Sequence, residues 1–265
     1  MKSRVGLLLI GALLATWLLA LVLPYQPGAD VAVQAADLGP GAAHWLGTDH
    51  LGRDVASRLV LASRAFVAPG VLAALVAGFL GGALGTAAGW YGGLVATAVR
   101  YVFHVIGAVP RLVLVLLAGA VFGSDLFVLA VATGVCCAPG VGEAVAARLE
   151  SLRRAEFVTA LRGHGVPEGR ILFFHLLWVN ARGLFARQLL TTFGFFLVVE
   201  TTLSYFGGFG VQEPTPSWGN MLAFEFDGNG NVWAWLAPAA AIQLGILGTA
   251  LVGQDLGLRE GAGHG

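Results

Sequence analysis

Few side chains in this 265-residue sequence can do chemistry, and their spacing excludes most of what they might do. Cys136 and Cys137 are adjacent inside an apolar run. They have neither zinc-ligand spacing nor the pattern of an extracellular disulfide framework, and they read as small packing residues. His44, His50, His164 and His175 are too scattered to specify a metal site. No G-x-x-x-x-G-K-[ST] segment occurs, so the chain carries no phosphate-cradling loop and is not an ATPase. No nucleophile–base pair suggests another enzyme. Three polar groups keep a definite spacing. Asp49, Arg53, Asp54 and Arg58 precede an apolar run, Glu156 and Arg162 precede Gly165, and Glu200 lies inside an apolar run. Their chemistry is ion pairing and docking.

The elements that must position them are membrane helices. The chain is 57% hydrophobic, only 11% charged, and has a mean hydropathy of +0.79. So little charge cannot cover a soluble surface, and the long apolar stretches imply lipid-facing helices. With zero net charge there is no basic field for nucleic acid. The pattern predicts an all-α, polytopic fold of six spans. The first, Val5–Leu23, exceeds a signal-peptide core, and no A-x-A site follows it. Span two covers 66–88. Its glycines fall at four-residue spacings: Gly78 and Gly82; Gly81, Gly85, Gly89 and Gly93. That spacing suits either a tight inter-helix seam in a transport core or ordinary small-residue packing. Span three, 94–122, is too long for one straight crossing and is expected to kink at Pro110. Arg100 and His104 lie inside it. Span four, 126–147, is interrupted at Pro139-Gly140; spans five and six cover 184–206 and 232–252.

The loops set the direction. Arg148, Arg153, Arg154, Arg162, Arg170, Arg182 and Arg187 cluster between spans four and five, and Lys2, Arg4 and Arg259 lie near the termini. The opposite loops hold Asp30, Asp37, Asp49, Asp54, Asp125, Glu213, Glu225 and Asp227, with Arg53, Arg58 and Arg64 as exceptions. The positive-inside rule places both termini and the Arg-rich loop in the cytoplasm. The expected organisation is a first span (1–24), an extracytoplasmic segment (25–65) and a core (66–265). The core carries a cytoplasmic loop at 150–182 and an extracytoplasmic loop at 207–231.

Within the cytoplasmic loop, residues 153–164 suit a short helix. Gly165 stands where a helix end favours positive φ, and Pro167 where a new helix begins. Ile171, Leu172, Phe174, Leu176 and Leu177 give the second helix an apolar side. Such an elbow fits a partner's groove or rests on the membrane surface. On the other side, Asp54 and Arg58 are spaced for an i,i+4 ion pair, and Gly47 and Gly52 permit tight turns. Glu200 either meets a cargo amine or is satisfied within the protein. Pro214, Pro216 and Trp218 form either an interfacial anchor or a lip over a pathway.

The stretch from Glu156 through Ala160 and Gly165 to Ile171 resembles the "EAA" coupling loop of binding-protein-dependent ABC importer permeases. His44-Trp-Leu-Gly47-Thr48-Asp49-His-Leu-Gly52-Arg53-Asp54-Val-Ala-Ser57-Arg58 is similar to a signature block of the dipeptide/oligopeptide/nickel subfamily. Glu200-Thr-Thr-Leu203-Ser204-Tyr-Phe-Gly207 through Pro214, Pro216, Trp218 and Gly219 resembles a second block. The likeness covers nearly the whole chain and is greatest to the second of the two permease subunits of such systems. Departures are Ala96, Tyr101 and His104 in span three, Trp178 in place of a proline, and a short tail after Arg259.

The resemblance implies a permease subunit of the bacterial inner membrane that forms half of a pathway for di- or oligopeptides by alternating access. It implies no directly bound cofactor; ATP and Mg would act in two separate ATP-binding subunits. The other partners would be a second homologous permease, an extracytoplasmic substrate-binding protein and membrane lipids. Glu156, Ala160, Arg162, Gly165 and Ile171 would couple to the ATPase. Glu200, Ser204, Pro214, Pro216, Trp218 and Gly219 would line the pathway or its lip. Alternatives are a nickel-chelate or other small-solute importer, an ATP-independent transporter, and a non-transporting scaffold.

Overall fold

A computed structural model describes residues 2–24, 33–225 and 230–262. Of the acids expected in the loops, Asp30 and Asp227 lie outside the described residues, as do the side chains of Lys2, Glu225 and Arg259. The described residues form helices joined by turns, without a strand. In order these are α1 (Lys2–Val22), α2 (Val55–Leu61), α3 (Val67–Tyr91), α4 (Gly93–Gly107), α5 (Arg111–Phe122) and α6 (Leu126–Arg153). There follow α7 (Glu156–Gly163), α8 (Glu168–Arg170), α9 (Arg182–Phe206), α10 (Trp218–Glu225) and α11 (Val232–Ala262). A π-helical stretch, Ile171–Val179, continues α8.

Among the described residues five helices are long and apolar enough to cross a membrane, and the pair α4–α5 supplies a sixth if its halves count as one span. Those halves meet at 79°. Pro110 sits at the N-cap of α5, where it lacks the amide that would continue α4. The break is therefore far sharper than a kink. Pro139 behaves in the opposite way. It was expected to interrupt its span, yet α6 runs unbroken through it for 28 residues. Neighbouring membrane helices tolerate one missing amide when they pack around it, and Pro139 is buried among them.

The glycines of α3 fall on two faces that serve two neighbours. A Cβ on Gly81 would lie 2.3 Å from the Ala138 carbonyl oxygen, and one on Gly85 2.3 Å from that of Gly142. One on Gly89 would lie 2.8 Å from the Ala146 oxygen. Both partners advance by four residues, so α3 and α6 run parallel with their backbones almost touching. Gly78 and Gly82 instead make room for Leu189 and Phe185 of α9. There the numbering falls as that of α3 rises, so α9 is antiparallel. Gly93 belongs to neither face: it has φ +50° and open space around it, and it turns the chain into α4. The four-residue spacing thus marks close helix packing at every glycine of the pattern except the last. At the outer side Gly6 meets Leu251 and Gly248 meets Leu9, which sets α1 antiparallel to α11. This alternation brings the ends of α1 and α11 to the side that carries α7.

Among the described residues two larger apolar cores result, beside a small cluster of Ala88, Ala96, Val99, Phe103 and Ala146. Phe66, Leu129, Phe196, Val199, Leu203 and Trp218 fill one. Leu149, Leu152, Val158, Ile171 and Leu176 fill the other, beneath α7.

Candidate functional sites at the two ends of the bundle

The segment before α2 folds into a charge knot. Gly47 has φ +76°, and a Cβ there would lie 2.2 Å from the Leu38 oxygen, so only glycine fits. Thr48 is fully buried and its Oγ1 donates to the Ala35 carbonyl. Gly52, at φ +77°, returns the chain so that its amide donates to the Asp49 carbonyl. Asp49 is 3% exposed. It accepts from the amides of Leu51 and Arg53, and from Arg53 Nε at 2.6 Å. Arg58 Nε stands 3.4 Å from the same carboxylate. Both guanidiniums then reach Glu213 in the loop before α10, each at 2.6 Å. Burial would lower the Arg53 pKa, but its bonds to Glu213 and Asp49 outweigh that and hold it above its ordinary value.

The expected Asp54–Arg58 pair does not form. Asp54 caps α2, accepting from the Ser57 amide at 2.7 Å, and its other oxygen meets His44 Nδ1 at 3.0 Å. An N-cap carboxylate faces back over its own first turn and so is turned away from the fourth residue. The knot also explains the basic exceptions among the acidic loops. Arg53 and Arg58 are neutralised in place, and Arg64 donates to the Ala20 and Leu23 carbonyls at the end of α1. A helix C-terminus favours such a cation.

Glu200 is fully buried in α9. Ser204 Oγ donates to it at 2.8 Å and accepts from the Val211 amide at 2.9 Å. The pair therefore ties α9 to the following loop, and both side chains are buried within this chain. Trp218 is neither an interfacial anchor nor an exposed lip. It is 4% exposed, its ring lies 4.2 Å from that of Phe66, and its Nε1 donates to the Leu59 carbonyl. Gly219 lets α10 approach closely: a Cβ there would meet the Thr201 oxygen at 2.3 Å. Pro216 is buried as well, whereas Pro214 is exposed. Two asparagines that the motifs did not single out finish this end. Asn220 bonds the Val211 and Thr215 carbonyls, and Asn231 those of Leu46 and Thr48. Their polarity beside apolar runs was visible in the sequence, but their distant partners were not.

The elbow occupies the opposite end. α7 starts at Glu156 and closes with the Gly165 amide on the Arg162 carbonyl and the Val166 amide on that of Leu161. This is a Schellman ending, and Gly165 supplies its left-handed residue at φ +75°. Open space surrounds the missing Cβ, so conformation alone requires glycine there. Glu156, Ala160 and Arg162 are exposed. Arg162 grips Glu168 with two bonds, 2.7 and 3.1 Å, and holds that carboxyl below the usual range. Ile171 is fully buried beside Leu149 and Val158, where it anchors the elbow from within. Phe174 is half-exposed, so it does not belong to the inner side. Arg153 donates to the Trp90 carbonyl at 2.5 Å, and the Arg162 guanidinium lies 5.8 Å from the Trp90 ring centre. Both contacts fasten the elbow to α3.

No family model matches the chain. It is 31% identical over 253 residues to a dipeptide transport system permease protein of Alkalihalophilus pseudofirmus, covering 95% of this chain and 83% of that protein. The chain belongs to the dipeptide/oligopeptide/nickel family of ABC importer permeases. A putative peptide permease protein of Brucella suis is 32% identical over 263 residues, 95% of this chain and 83% of its own. A glutathione transport system permease protein of Pectobacterium atrosepticum is 30% identical over 187 residues, covering 69% and 60%. Permeases of this family are non-catalytic membrane subunits.

Proposed function

We propose that this permease forms half of the pathway of an ATP-driven importer for di- or oligopeptides, and that the α7 elbow docks on an ATPase subunit. The observation that carries the docking role is an exposed short helix ended by a conformationally locked glycine and fastened to α3 and α6. A partner's movement against it would be passed to the bundle as a whole. The peptide cargo rests on the printed names of the relatives. The arginines around the elbow support a topology in a bacterial inner membrane with that end, and both termini, on the cytoplasmic side. The charge knot and the loop before α10 then face outward, where they would receive a substrate-binding protein. A second homologous permease completes the pathway, lipids surround it, and two ATP-binding subunits supply ATP and Mg chemistry.

The test is uptake per ATP hydrolysed in the reconstituted complex. Glu156→Arg reverses a docking charge without touching the core. Gly165→Val forces a β-branched residue to positive φ, a strain of about 1–2 kcal/mol. Each is expected to cut coupled uptake about tenfold, the equivalent of about 1.4 kcal/mol, while all subunits still co-purify. Wild-type coupling in both variants would remove the docking role.

A further inference from the structure

One face of α6 carries the charges that the two end sites leave unexplained. Gly140, Glu143 and Glu150 are three and seven residues apart and so lie on one side of the helix. Gly140 is about 21 Å from the start of α6 and about 20 Å from its end, at about 1.5 Å per residue, which puts it at the helix midpoint. Arg111 reaches this point from the broken α4–α5 span. A Cβ on Gly140 would lie 3.6 Å from its Nη2, and its guanidinium sits 5.7 Å from the Phe195 ring centre. Arg111 is exposed and makes no ion pair among the described residues. Towards the elbow, Arg100 bonds Glu150 and stands 4.0 Å from Glu143, whose Oε1 is buried without a hydrogen bond among the described residues.

An exposed guanidinium at mid-span cannot face lipid. Nor can the 79° break beside it, because its backbone needs water or protein for its polar groups. A recess of about 650 Å³ opens on the face of α5 that Arg111 shares with Leu114 and Phe122, three and eleven residues on, and its wall also includes Ile106, Val109, Phe127 and Cys136. Val109 is two residues before Arg111, and Cys136 is one turn before Gly140. Apolar walls beside one polar group are the composition of a ligand site.

We propose that Arg111 lines the passage at mid-membrane and meets the carboxylate of a passing peptide whose apolar side chain occupies this recess. The inference rests on the peptide-importer reading above. Beyond Arg111, Arg100 is already neutralised by Glu143 and Glu150, so the cargo meets a cation without an ion pair among the described residues and then a self-paired stretch. A carrier needs such a gradation, since cargo must be held and then released.

The test uses the complete importer in proteoliposomes with a labelled dipeptide. Arg111→Gln is expected to cut uptake about tenfold or more, the loss that follows removal of one charged partner. Arg111→Lys should recover most of it. Both should keep ATPase stimulation by loaded binding protein and the full subunit composition. In a Cys136→Ala, Cys137→Ala background, Arg111→Cys should react with a membrane-impermeant thiol reagent. Dipeptide uptake by Arg111→Gln within twofold of wild type would overturn the proposal. So would loss of the second permease on purification, which would assign Arg111 to the subunit interface. A thiol that stays unreactive would overturn it too. If the wild-type complex hydrolyses ATP but carries no dipeptide, the peptide reading and the carboxylate contact fail together, and thiol reactivity still decides whether Arg111 faces water.

Discussion

Asp49→Ala is expected to destabilise the permease by about 3–5 kcal/mol, the range for removing one partner of a buried ion pair. Asp49 is nearly inaccessible and holds two arginines and two backbone amides. Without it Arg53 and Arg58 share only Glu213, and two amides lose their acceptor. Asp54→Ala is the contrast, because Asp54 is half-buried and its loss removes an N-cap worth about 1 kcal/mol and a contact to His44. The check is unfolding of the detergent-purified variants, followed by loss of helical signal. Equal effects at the two aspartates would mean that the knot does not contribute as a unit.

The second large effect is at the α3–α6 seam. Gly85→Leu should cost about 1–3 kcal/mol or more, because its Cβ alone would lie 2.3 Å from the Gly142 oxygen and 2.8 Å from its Cα. Neither backbone atom can move without parting the two helices. Gly85→Ala should already destabilise, against the usual helix preference for alanine of about 1 kcal/mol. Gly11→Ala, where nothing stands within 4 Å, should be neutral or mildly stabilising. The two alanine variants therefore carry opposite signs. A neutral Gly85→Ala in the same unfolding assay would show that the seam relaxes.

The sequence was most legible where a local rule decides the outcome. Gly165 followed by Pro167 announced the elbow, because a Schellman ending needs only a few neighbouring residues. The four-residue glycine spacing of α3 announced a seam, since helical periodicity fixes which residues share a face. It did not announce that two partners divide those glycines, which depends on how α6 and α9 are arranged. Asp54 was assigned the wrong partner because spacing permits both a cap and an i,i+4 pair, and His44 tips the choice from ten residues away. Trp218 looked interfacial by type. Its burial comes from Phe66 and the Leu59 carbonyl, more than 150 residues earlier in the chain. Pro110 and Pro139 are chemically identical and behave oppositely: one begins a helix, the other is packed within one. The Glu213 contact had no local signature at all.

That last contact has a consequence for biogenesis. Arg53 and Arg58 are synthesised 160 and 155 residues before Glu213. At about 5–20 residues per second, their second counter-ion is made about 8–30 s later. During that interval four further spans must be threaded while Asp49 alone balances two cations beside the membrane. The end of the bundle that carries the knot can therefore lock only after the fifth span has crossed, which makes completion of the knot a late checkpoint on insertion.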